Sequence, residues 1–188
     1  MSVVDPISKL AGQVIRPLRA GADTLASSKE HTAPGITVTS ASFPERSAIP
    51  ARYAGERGIA PNVQWSQVPH ETQEIVVLCE DPDAPFPQPY VHWVVYGLSP
   101  SQTSLPEGLP PDAKLGNDAH QGKNSARRVG YTGPQPPRGH GVHHYHFQVF
   151  ALAHRLGLAP GADRDALVAA MHGHVIVSGE VIGTYELK

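Results

Sequence analysis

The sequence predicts a mainly β protein: a sandwich with a few peripheral helices and a helical N-terminal extension. Three observations carry that expectation. Pro and Gly number 19 and 18 in 188 residues, which demands many turns. The runs 74–79, 91–98 and 142–152 are apolar and rich in β-branched or aromatic residues, the composition of half- or fully buried strands. Helical periodicity is confined to the margins of the chain, and strands framed by helices pack most simply as a sandwich.

In chain order, Ile7, Leu10, Val14, Leu18 and Leu25 recur at helical spacing, and Pro17 and Gly21 should split that helix. Its single apolar stripe must pack on the domain, pack on a partner subunit or stay mobile; packing on the domain or a subunit is the expectation, and the second of these admits a homodimer. Ser27 to Gly35 reads as a linker. The chain therefore divides into an extension over 1–33 and a domain over 34–188. Ile36 to Ser40 alternates and reads as a strand, 44–61 as loop with a short strand at Ala51 to Tyr53. Glu74 to Cys79 is continuously apolar apart from its first residue, as expected for a strand covered on both faces. Ser99 to Tyr131 is polar and Gly/Pro-rich, a long loop of the kind that carries function. In the strand from Val142 to Leu152, alternation places His143, Tyr145, Phe147, Val149 and Ala151 on one face. Asp163 is a candidate N-cap for a helix reaching Met171, and Val175 to Leu187 is β-like.

Composition narrows the function. With 40% hydrophobic and 17% charged residues, the chain is globular rather than disordered. A formal charge of −2 gives no electrostatic reason to bind nucleic acid. Cys79 is the sole cysteine, so no intrachain disulfide forms. Asp5, Lys9, Arg16, Arg19 and Asp23 interrupt the first 28 residues, against a secretory leader or a membrane span. A cytoplasmic location is the expectation.

Two segments carry candidate chemistry. Asp81-Pro82-Asp83-Ala84-Pro85 follows a buried strand, with two carboxylates separated by a residue of fixed φ. It reads either as a preorganised acidic wall at a sheet's mouth or as a stiff turn whose carboxylates cap backbone amides. The Pro/Gly loop 133–141 delivers the chain into His143 and Tyr145, which share a face. His140, His143, His144 and His146 do not form a metal site by spacing, because His144 and His146 point away from His143 and zinc needs three or four converging ligands. No nucleophile elbow, P-loop or zincin motif occurs. No metal and no cofactor are expected.

Taken in order, Asp81-Pro82-Asp83-Ala84-Pro85, Val91-His92-Trp93-Val94-Val95, the stretch from Gly130-Tyr131-Thr132-Gly133-Pro134 through Gly139-His140-Gly141, and His143-His144-Tyr145-His146-Phe147 resemble the phosphatidylethanolamine-binding protein family, in its bacterial Raf-kinase-inhibitor-like branch of the YbhB/YbcL type. The resemblance runs from about Ile36 to Tyr185. It implies a β-sandwich with a small anion pocket whose wall would be Asp81, Asp83, His92, Pro137, His143 and Tyr145. It departs from the pattern at His144, where the family often has Arg, and at Gln135, where bacterial members often have Cys. The implied function is non-enzymatic binding of a small anion such as phosphate or a phosphoethanolamine-like headgroup, with regulation of a protein partner as an extension of it. Two alternatives are a hydrolase or lyase using Asp81 with His92 or His143, and a protease or kinase inhibitor acting through the rigid loop. No catalytic residue is assigned.

Overall fold

The computed structural model describes residues 6–15, 17–30 and 34–188. The elements are α1 (Pro6–Ile15), α2 (Ala26–Glu30), β1 (Thr37–Thr39), β2 (Ser47–Ala48), β3 (Val63–Ser66), β4 (Glu74–Asp81), β5 (Tyr90–Leu98), β6 (Ser104–Leu105), β7 (Lys114–Gly116), β8 (Ala119–Gln121), β9 (His143–Leu152), α3 (Arg164–Met171) and β10 (Val175–Tyr185). A seven-stranded sheet runs β2-β10-β9-β4-β5-β8-β7, and a three-stranded sheet runs β1-β3-β6. Within them only β2 and β10 pair in parallel.

The apolar run of β4 has a direct cause: both faces of the large sheet are covered. Ile75, Val77 and Cys79 pack with Trp93, Val95, Phe147 and Val149 against Val38, Val63, Trp65 and Leu105 of the small sheet. Val76 and Leu78 pack on the opposite face with Val94, Phe150 and Leu152 beneath Ala26, Leu167 and Met171. A strand between two layers shows no polar/apolar alternation. The fold is thus mainly β, a sandwich with peripheral helices, and its barrel is not closed.

Several expectations need correction. Ala51–Tyr53 is a 3₁₀ turn rather than a strand: Pro50 opens it, the Tyr53 amide bonds back to the Pro50 carbonyl, and the Tyr53 ring is buried. Ser27–Glu30 is not linker but the body of α2. That short helix is held from outside, its Ala26 amide on the Glu80 carboxylate and its Ser27 amide on Gln148; residues 31–33 lie outside the described residues. The stretch 99–131 contains β6, β7 and β8. β3 went unpredicted although Val63 and Trp65 alternate with polar neighbours.

The first helix ends at Ile15, and a 3₁₀ turn at Ala22–Thr24 precedes α2, so the chain breaks near Pro17 and Gly21 as expected. The stripe is not covered by the domain: Leu10, Val14 and Leu18 are 62%, 72% and 57% exposed, while Leu25 is buried. The side chain of Ile7 lies outside the described residues. α1 meets the domain through Gly12, whose missing Cβ would sit 1.8 Å from the Arg138 carbonyl oxygen. Only glycine allows that approach. No described helix is long and apolar enough to cross a membrane.

Candidate functional site

β4, β5 and β9 deliver their polar residues to one end of the large sheet. The pairing of β4 with β5 slips by one residue: Cys79 faces Trp93, but Glu80 faces Val91. His92 is the extra residue. A bulge of this kind re-aims a side chain. It turns His92 toward the face that carries Trp93, so that it joins Asp81 at the end of β4 and His143 and Tyr145 at the start of β9. The fourth wall is the 133–137 loop, which is clamped to the turn after Tyr53: the Gly133 amide donates to the Gly55 carbonyl and the Gly55 amide to the Pro134 carbonyl, at 3.0 and 2.8 Å.

These elements enclose a cavity of about 250 Å³. Asp81, His92, Pro137, His143 and Tyr145 line it, as do Phe86, Tyr90, Thr132 and Gln135. Asp83 does not. Its amide donates to Asp81 Oδ1 at 2.8 Å, a local turn that swings its own carboxylate outward. There Oδ2 accepts from the His144 amide and ring Nδ1, at 2.8 and 2.7 Å, and Oδ1 accepts from Arg19 of the extension. The paired-carboxylate wall is therefore a single carboxylate, Asp81, with Asp83 acting behind it. Phe86, Tyr90 and Thr132 were not among the expected wall residues; Phe86 and Tyr90 both follow the Asp-Pro segment and pair with ring centroids 6.0 Å apart, which is the signal available.

The hydrogen bonds define what each group can offer. His92 Nδ1 lies 2.7 Å from the Thr132 carbonyl oxygen, so Nδ1 carries the hydrogen and Nε2 is the nitrogen left for a ligand. His143 has none left: Nδ1 lies 2.7 Å from Asp81 Oδ2 and Nε2 2.7 Å from His140 Nδ1. His140 Nε2 lies 3.0 Å from the Ile15 carbonyl oxygen of α1. The Tyr145 hydroxyl is buried and has no hydrogen-bond partner among the described residues. His146 turns to the other face and pairs with Glu180 at 2.9 Å. His144 and His146 thus point away from the His140–His143 pair, and among the described residues no three or more His, Cys, Asp or Glu side chains are placed to share a metal.

Electrostatics follow from burial. Desolvation lowers the pKa of His92, only partly opposed by Asp81, and lowers that of His140. Desolvation, reinforced by Asp81, raises the Tyr145 phenol far above its ordinary value, so this hydroxyl remains a donor. Burial would raise the Asp83 carboxyl, but the His144 ring and amide and the Arg19 guanidinium outweigh it and hold it below its usual value. The two histidines bind protons more weakly folded than unfolded. Stability should therefore fall as pH drops below the unfolded His value of about 6.5. Asp83 adds a second loss below its unfolded value of about 3.8. Melting temperatures recorded from about pH 6.5 to about pH 5 should decline; a flat profile would contradict the burial of His92 and His140.

The chain matches a model of the phosphatidylethanolamine-binding protein family over residues 39–186. It is 44% identical over 149 residues to a UPF0098 protein of Pyrococcus horikoshii, covering 78% of this chain and 74% of that one. Among solved structures it is similar to a phosphatidylethanolamine-binding protein homologue of Chlamydia trachomatis, at 36% identity and a TM-score of 0.72, covering 83% of this chain and all of that one. It is also similar to YbcL of E. coli, at 28% identity and a TM-score of 0.76, covering 82% and 99%.

Proposed function

This chain belongs to the phosphatidylethanolamine-binding protein family, and we propose that it is a non-enzymatic receptor for a small anion, phosphate or a phosphoethanolamine-like headgroup, held in the cavity between Asp81, His92 and Tyr145. The observation that carries this reading is Tyr145, which lines the cavity and whose buried hydroxyl has no hydrogen-bond partner among the described residues. Leaving a buried polar group unpaired costs about 1–3 kcal/mol, and a ligand oxygen would remove that cost. At about 250 Å³ the cavity lies below the range of drug-sized sites, which suits a headgroup rather than a whole lipid.

Binding is favoured over turnover by what the wall lacks. Cys79 is buried and its thiol pKa is raised by desolvation, so it is a poor nucleophile. Both nitrogens of His143 are engaged within the protein, which leaves it no free lone pair to serve as a base. His92 Nε2 fits a zwitterionic ligand: neutral, it accepts from an ammonium or a phosphate hydroxyl; protonated, it donates to an anionic oxygen.

Because burial keeps His92 neutral near neutral pH, protonating it should strengthen anion binding. Titration calorimetry with sulfate, whose charge does not change in this window, should give tighter binding at about pH 5.5 than at about pH 7.5. Phosphate and phosphoethanolamine in parallel would separate anion from headgroup preference. Equal sulfate affinity at the two values would remove His92 from the site, and absence of binding by all three would remove the reading.

A further inference from the structure

The extension reaches the pocket through hydrogen bonds in series: Ile15 carbonyl to His140 Nε2 at 3.0 Å, His140 Nδ1 to His143 Nε2 at 2.7 Å, and His143 Nδ1 to Asp81 Oδ2 at 2.7 Å. Each link needs one hydrogen. A carbonyl oxygen only accepts, so the first hydrogen sits on His140 Nε2. His140 Nδ1 and His143 Nε2 need a second between them, and the contact with Asp81 needs a third. Two neutral imidazoles and one carboxylate carry only two.

We propose that this chain of groups holds one extra proton, so that Asp81, His143 and His140 together are neutral rather than singly negative, and that α1, by supplying the terminal acceptor, sets the charge of the pocket wall. The functional consequence rests on the reading of the cavity as an anion site: it explains how an anion is held against an aspartate. It also gives a role to a segment outside the family match, which begins at residue 39. His140 is a positioning residue, acting on the ligand only through His143.

The surroundings favour this count. Asp81 Oδ1 accepts from the Asp83 amide, so both oxygens of Asp81 meet hydrogens. His143 faces Tyr145 in a near-parallel stack and His140 across their shared bond. The remaining charged groups nearby are mutually satisfied, Arg19 and His144 both bonded to Asp83. His92 is held neutral by burial. Since burial also weakens the basicity of His140, the extra proton belongs to the His143–Asp81 end. On either partner there, His143 Nε2 keeps its hydrogen and the net charge is the same.

The decisive measurement is ¹H–¹⁵N correlation of the imidazole nitrogens in the full chain at about pH 7.5, a pH at which free histidine is mostly neutral. The expected spectrum has a hydrogen on His143 Nε2 and another in the His143–Asp81 link. A bare His143 Nε2 overturns the proposal, and because this readout uses the wild-type protein it holds even where variants fail to fold. His140→Phe removes the acceptor of the His143 Nε2 hydrogen, so that the remaining His143–Asp81 link needs only one hydrogen; by electrophoresis the variant should be one unit more negative than wild type at about pH 7.5, and should bind sulfate about tenfold more weakly. Unchanged charge in the folded variant overturns the proposal. A wild-type protein with both hydrogens in place that binds no sulfate would support the proton count and remove the anion reading instead.

Discussion

Arg164→Met should lower the unfolding free energy by about 3–5 kcal/mol. Glu80 is completely buried on the helix-covered face of the large sheet. Its Oε1 accepts from Arg164 Nε at 2.7 Å, and its Oε2 accepts from the Ala26 amide and Gln148 Nε2 at 2.9 and 2.8 Å. Arg164 reaches on to the Thr24 carbonyl at 3.1 Å. One ion pair thus joins β4, β9, α3 and the extension. Removing the guanidinium leaves a carboxylate in an apolar layer with only two neutral donors. The penalty comes from that stranded charge and not from the net worth of the pair, so Glu80→Leu with Arg164→Met should recover part of the loss. Urea unfolding of the single and double variants checks this. A single variant within about 1 kcal/mol of wild type would mean that the carboxylate is solvated or neutral there.

That network also marks the limit of what could be read from sequence. The strands β4, β5, β9 and β10 and the Asp163-capped helix α3 were legible because their signals are local: apolar runs, alternation and a cap whose side chain accepts from the Ala166 amide. α2 was not, because Ala-Ser-Ser-Lys-Glu has no helical signal of its own and is held by Glu80 and Gln148, 54 and 121 residues away. The two- and three-residue strands within 99–131 exist only as pairings to other elements.

The site divides in the same way. Alternation put His143 and Tyr145 on one face, and the family resemblance supplied Asp81, His92 and Pro137; all five line one cavity. The resemblance named His92, but nothing local showed the bulge that turns it inward. Asp83 was placed in the same wall by the paired carboxylates and by the resemblance; the turn in which its amide donates to Asp81 Oδ1, which carries its carboxylate outside the cavity, has no signal in the sequence. His140 was weighed only as a metal ligand. Its contact with Ile15 spans 125 residues, and no pattern in the chain announces it. The stripe of Leu10, Val14 and Leu18 was expected to be covered and is exposed; α1 meets the domain instead through Gly12 and the Ile15 carbonyl.

Tyr145→Phe should weaken sulfate or phosphate binding by about 10- to 100-fold, the loss of one hydrogen bond to a charged oxygen at about 1.5–3 kcal/mol. The same change should leave the unliganded protein as stable as wild type or more so. The two expectations have opposite signs because the hydroxyl has no hydrogen-bond partner among the described residues, so phenylalanine removes a desolvated polar atom and breaks no bond to them. The ring keeps its place in the core beside Phe147 and Val149, edge-on to His92 with centroids 5.0 Å apart. Phenylalanine fills that space with the loss of one oxygen atom only. A structural role for the hydroxyl would instead give a destabilised variant of normal affinity, and that combination, read by calorimetry and thermal melting on one preparation, would show that Tyr145 faces the cavity without serving it.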